Sequence, residues 1–474
     1  MNVINVVPKP VLADTRPISA RLAEFTHELD FHDIPEDVVE RAKRHILDCV
    51  GIALASTTFD FAHRTASAVR GMAGDGGDMP VIGMSMRLPL RDQVLLNGTL
   101  IHGLDFDDTH GAGVIHASAS ALATALGQTL KFEASGQELL TAYLIGVETA
   151  SRIGTAAAGG FHVRGHHPTG LVGAFGATLA AGKLADLTPG QLAHAQGIVL
   201  SMAGGSLEFL SDGAWTKRMH PGWAGVSGIT AAAMAKEGFV GPGAAYEGRY
   251  GLFRLHLGAD ATPDLALVTA GLGDVWEIEN VAFKPFPACH FNHAIADCAL
   301  TLRREHGIVP EQVESITALI HKTPAEVVCE PLEAKRRPAN SYEAQFSIPY
   351  IVAQCLLRGR FGLDELDASA YGEPAALALA ARVDWRHDAE SAFPRYYSGA
   401  LVCRTTDGRE ITVREQHNRG SDANPLSPGD IEAKFWANAL RAVGRGQAER
   451  AYDAVMRLDV AEDGWELMSA LARP

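Results

Sequence analysis

The stretch from Gly103 to His116 concentrates groups that can move protons. Asp105, Asp107 and Asp108 supply carboxylates, Thr109 a hydroxyl, and His110 and His116 imidazoles. Buried acids and bases this close shift one another's pKa values, which is how a site obtains a general acid or base near neutral pH. If the segment is locally helical, Asp105 and Thr109 share a face at i,i+4 and Asp108 lies close to it. The same residue types also cap helices, so a hydrogen-bonding cluster closing one helix and opening the next is the competing reading of this stretch alone.

Three basic or imidazole clusters follow. His162, Arg164, His166 and His167 precede a helix expected near Pro168, where free amides and the helix dipole favour an anion. Lys217, Arg218 and His220 fall together, with Lys217 and His220 meeting at i,i+3 if the turn is helical. Lys284 stands between an aromatic and prolines in Phe283-Lys-Pro-Phe-Pro-Ala-Cys-His290, where a stiff backbone holds a side chain in place. Cys289 and His290 are its neighbours. Taken singly, a histidine is more often a core or capping residue, and a Lys-Arg pair is usually just solvated.

The elements that must position these groups are mostly helices. Val94–His102 and Ala117–Leu126 read as buried helices on either side of the acidic stretch, and a helix with one apolar face runs from about Pro35 to Ala55. Its start carries Asp33 as a cap with Glu36 completing a capping box; Ser135/Glu138 and Thr188/Gln191 repeat that pattern. The glycine-rich stretch Gly71–Gly83 is a loop, with neither a G-x-G-x-x-G after a strand nor a Walker lysine. After Val281 the pattern changes. Ser315–His321 and Ser398–Cys403 are strand-like, and Asp407-Gly408 joins the second to Glu410–Arg414 as a hairpin. Between them, 349–357 and 374–381 read as helices, and helix returns from Ser427. The fold class is therefore mainly α: a large all-α helical domain formed by both ends of the chain (1–281 and 426–474), with a smaller α+β lid domain inserted near residue 282 and running to 425.

Composition narrows the partners. At 474 residues the chain exceeds the size of one hydrophobic core. Its formal charge of −15 disfavours nucleic acid and anionic membrane surfaces. No uninterrupted apolar run reaches the ~18 residues that span a bilayer, and Met1–Pro10 lacks a signal-peptide pattern, so a cytoplasmic protein is expected. The six cysteines are scattered without a C-x-x-C pair, which points to free thiols and no zinc site.

In combination and order, Leu104-Asp-Phe-Asp-Asp-Thr109 with His116, His167-Pro-Thr, Thr216-Lys-Arg-Met-His220 and Phe283-Lys-Pro-Phe-Pro287 resemble the MmgE/PrpD family. That family comprises 2-methylcitrate dehydratases, cis-aconitate decarboxylases and iminodisuccinate epimerase. The resemblance implies a helical domain with an α+β lid, a homodimer, no metal or organic cofactor, and a small di- or tricarboxylate substrate. It places Asp105, Thr109, His116, His167, Lys217 and Lys284 on the positions that line the family's active site, and these are the catalytic candidates; from their own types and neighbours, Asp108, His110, His166, Arg218, His220, Cys289 and His290 are the substrate-binding candidates. Ala117 stands where the family often has proline, and His110 where several lyases carry an aromatic.

The expected chemistry is a lyase reaction at a carbon next to a carboxylate. Lys217 and Lys284 would anchor and stabilise charge, His116 and His167 exchange protons, Asp105 orient an imidazole, and Thr109 bond substrate. An epimerase using the same pocket is the first alternative. A magnesium-dependent prenyl-transfer enzyme using Asp105, Asp107 and Asp108 is the second, and it lacks a further acidic motif; a non-catalytic scaffold is the third.

Overall fold

The computed structural model describes residues 15–74 and 76–473; Met1–Pro10, expected to lack a targeting pattern, lies outside them. The chain is mainly α. A helical body is built on the long helices Glu36–Ser56, Leu90–His102, Ser118–Phe132, Gly136–Ala156, Pro168–Leu184 and Thr216–Lys236. Ser135 and Thr188 close their capping boxes, whereas Glu36–Ser56 follows Pro35 without a side-chain cap. Asp33 serves the preceding short turn instead, reciprocally with Asp30. Small residues let these helices approach closely. A Cβ on Gly98 would lie 2.5 Å from the Cα of Gly222, so the helix carrying Lys217 packs hard against the helix ending at His102.

The acidic stretch is not helical. Leu90–His102 stops at Gly103, Asp105 adopts φ 50°, and Thr109–His110 forms a short strand. A shared helical face for Asp105 and Thr109 is therefore corrected: the left-handed turn at Asp105, uncommon for a residue with a side chain, breaks the helix and redirects the chain. The strand pairs antiparallel with Val281–Ala282, Thr109 opposite Ala282 and His110 opposite Val281. That pairing delivers Phe283 and Lys284 to the side of Asp105.

Beyond it lies a four-stranded sheet in the order Val383–His387, Val313–Ile320, Gly399–Thr405, Glu410–Glu415. The first pair is parallel and the others antiparallel, with Gly408 at φ 86° in the hairpin turn. Helix His293–Arg304 covers its last two strands, and Ile348–Arg358 packs on that helix. Helix Pro428–Ala439 then lies along Glu36–Ser56, where a Cβ on Gly51 would come within 3.1 Å of the Phe435 ring. Among the described residues no helix is long and apolar enough to cross a membrane.

Candidate active site

Asp105 is the hub. Its Oδ1 lies 2.7 Å from Lys217 Nζ and 2.6 Å from Lys284 Nζ, and Lys284 also donates to the Asp105 carbonyl at 2.9 Å. Three elements meet here: the turn after Leu90–His102, the first turn of Thr216–Lys236, and the stretch after Val281–Ala282. All three side chains are buried. Burial opposes ionisation of Asp105, but the two ammonium groups outweigh it and hold the carboxyl well below its usual range. Burial lowers the pKa of Lys217, with Asp105 resisting.

His116 stands beside this group with Nε2 3.7 Å from Asp105 Oδ1, and its Nδ1 lies 2.7 Å from the Asp108 carbonyl. A carbonyl only accepts, so Nδ1 carries the proton. Burial first, then the charges of Lys284 and Lys217, push the His116 pKa well below that of a free imidazole. The ring is thus neutral at pH 7 with a lone pair at Nε2, the state a proton acceptor requires. His167 is held neutral by burial as well, and its Nδ1 contacts His220 Nδ1 at 2.9 Å. His102, at the end of its helix, donates from Nδ1 to Asp107 at 2.8 Å and lies against His116 with ring centroids 4.7 Å apart.

These groups open on one pocket, a cavity of about 80 Å³. Asp105, Thr109, His116, His167, Lys217 and Lys284 all line it, as do Cys289 and His290. The Thr109 hydroxyl and Asp105 Oδ2 have no hydrogen-bond partner among the described residues. Burial pushes the Cys289 thiol up to about 11, so it is protonated. His290 accepts from Asn418 at 2.9 Å.

The remaining candidates sit elsewhere, each for a visible reason. Asp108 points away from the cavity to Ser118 and to His45, 3.2 Å off, forming a buried foundation under His116. His110 turns to Glu277 at 2.9 Å, so its departure from an aromatic falls outside the pocket wall. His166 faces His256. Arg218 lies over the Phe61 ring at 4.3 Å, a cation–π contact that holds the guanidinium off the cavity. His220 acts from behind His167.

Several positioning groups carry no sequence signature. His102 ends an apolar helix, and only its proximity to Asp107 five residues on hints at a role. Gln345 donates to the carbonyls of Leu104 and Pro287, at 2.5 and 3.1 Å, tying the two segments that bear Asp105 and Lys284. Lys434 donates to Asp48 and to the Phe106 carbonyl, both at 2.8 Å.

The ring nitrogens of His102, His116 and His167 come within 4.8 Å of one another, as do ligand atoms of Asp105, Asp107 and His116. A divalent ion on Asp105 would face the ammonium groups of Lys217 and Lys284, already on its Oδ1, and charge repulsion opposes that occupancy.

The chain is 28% identical to human cis-aconitate decarboxylase, covering 97% of this chain and 95% of that protein. It is 27% identical to the cis-aconitate decarboxylase-like protein oryM of Aspergillus oryzae, over 96% and 97% of the two chains. With cis-aconitate decarboxylase of Aspergillus terreus the identity is 26%, over 96% of each. The MmgE/PrpD N-terminal domain matches residues 20–264 and the C-terminal domain residues 286–459, and the chain belongs to the MmgE/PrpD family.

Proposed function

We propose that the protein is a cofactor-independent lyase removing CO2 or water from a small di- or tricarboxylate, next to a carboxylate. The observation that carries the reading is the convergence of Lys217 and Lys284 on one oxygen of Asp105, beside the Nε2 of a neutral His116 and in one cavity with His167. Full-length similarity to proteins named cis-aconitate decarboxylase supports it.

The substrate carboxylate docks on the two ammonium groups. In decarboxylation the bond to the departing CO2 breaks and its electron pair spreads onto the conjugated carboxylate, which the lysines face. In dehydration, His116 Nε2 takes the proton next to the carboxylate. Either way negative charge grows opposite cations that are already in place and shielded from water, the arrangement that lowers a barrier most. The proton that the carbon or the leaving hydroxyl needs comes from solvent, relayed through the uncharged His167–His220 pair. Thr109, with its hydroxyl unpaired, bonds substrate.

A homodimer accompanies this reading. Trp215, Met219 and Trp223 recur every four residues along one helix face and are 44%, 38% and 47% exposed, an apolar strip suited to a second copy.

Incubation with 2-methylcitrate, cis-aconitate and iminodisuccinate in deuterated water, with products read by NMR, tests the reaction. Water loss to an alkene, or CO2 loss with one deuterium at the carbon that takes up the proton, is expected. Deuterium uptake without bond loss would replace the lyase by an epimerase.

A further inference from the structure

The pocket has two halves of unlike chemistry. At one end stand the fixed charges, Lys217, Lys284 and Asp105, with the neutral histidines beside them. The other end is apolar and is walled by both parts of the fold: Leu207, Phe209 and Leu210 from the segment before Thr216–Lys236, and Val327, Phe346 and Phe291 from beyond residue 285.

This wall is a built surface. Phe209 meets His167 edge-on at 5.6 Å between centroids, and Phe346 stacks on Tyr342 at 4.7 Å, which in turn meets Phe209 edge-on at 6.2 Å. The three aromatics form one cluster spanning body and lid, separate from the main core. It begins where the charges end: Lys217 Nζ lies 5.5 Å from the Phe346 ring.

Charge bookkeeping points the same way. Among the residues lining the pocket the fixed cations are Lys217 and Lys284, and Asp105 offsets one of them. Arg218, the next cation along the chain, is held over Phe61. A carboxylate placed against the side chains of Leu207, Phe209 and Phe346 would give up water for apolar surface, which is costly; a hydrocarbon chain there would gain from leaving water.

We propose that the natural substrate is a dicarboxylate bearing an apolar chain, its carboxylates at Lys217 and Lys284 and its chain in the Leu207/Phe209/Phe346 half. The assignment rests on the lyase reading of the same pocket and narrows its substrate class.

Unreactive analogues separate the two claims, because their binding requires no turnover. Calorimetry compares succinate, n-butylsuccinate and the tricarboxylate tricarballylate on the intact protein. Butylsuccinate is expected to bind about 10-fold or more tighter than either, since each buried methylene favours binding. Phe346→Ser, and independently Leu207→Ser, should bring the butylsuccinate-to-succinate ratio toward one. Equal affinities, tighter binding of tricarballylate, binding of none of the three, or a ratio untouched in both folded variants would each overturn the proposal. Turnover of cis-aconitate or 2-methylcitrate reports on the lyase reading alone, so one can fail while the other stands.

Discussion

Two ammonium groups on a single buried carboxylate oxygen leave Asp105 doing electrostatic work, aiming both at the cavity and resisting the loss of charge that burial favours at Lys217. Lys217→Met and Lys284→Met should therefore each lower kcat/KM by ~10²-fold or more, about 2.7 kcal/mol at the transition state, with the fold retained. Near-normal rates in either variant would remove that lysine from the chemistry. The lysines also occupy Asp105 Oδ1, so dialysis against EDTA should leave activity unchanged; loss with EDTA and recovery with added metal would place a metal on the nearby histidine and aspartate atoms. His116→Gln and His167→Gln should each suppress turnover strongly. The double variant should be far less impaired than the product of the single effects, as for residues acting as a unit. Fully multiplicative losses would separate them. The lysines, Asp105 and the histidines lining the pocket are legible because their types are rare in an apolar helical setting, whereas Leu207, Phe209 and Phe346 read as ordinary core residues. Nor is His102 legible, because one imidazole closing an apolar helix looks like a core residue until Asp107 is seen 2.8 Å away.

At the level of elements, the site hangs on a segment with no regular structure of its own. Its turn is fixed by the short pairing of Thr109–His110 with Val281–Ala282, by Gln345, and from below by Lys434. Lys434→Met should remove the tie to the Phe106 carbonyl and strand Asp48, costing ~3 kcal/mol of stability and lowering kcat more than it raises KM. Adding Asp48→Asn should restore much of the stability but not the rate, because the carbonyl stays untethered. Recovery of both in the double variant would make Lys434 a matter of stability alone. Capping boxes and apolar periodicity made the long helices readable, and Asp407-Gly408 announced the hairpin. The pairing across residues 109 and 282 could not be read locally, since two-residue strands have no periodicity and their partners lie far apart in sequence.

For the whole molecule, buried histidines outnumber buried acids with raised pKa values in setting the response to pH. His45, His116, His167, His220, His290 and His293 are all pushed below the usual imidazole value by burial, whereas burial raises Asp48 to about 6, Glu148 to about 7, and Asp297 above its usual value. Unfolded, each histidine takes a proton near pH ~6.5 that the folded state refuses, so stability falls as pH drops below that value. The three acids act oppositely, their contribution fading as pH rises through their folded values. Urea unfolding should show a net loss of ~2 kcal/mol or more between pH 7.5 and 5; a midpoint that rises over this range would contradict the balance. The tie from Lys434 to Phe106 also has a temporal meaning. During synthesis the helical segments through Thr216–Lys236 emerge first, and with them five of the six candidate catalytic side chains, but the turn that holds Asp105 receives its last support only when residue 434 leaves the ribosome. A chain still held at residue 433 thus carries those five side chains without the tie beneath Phe106.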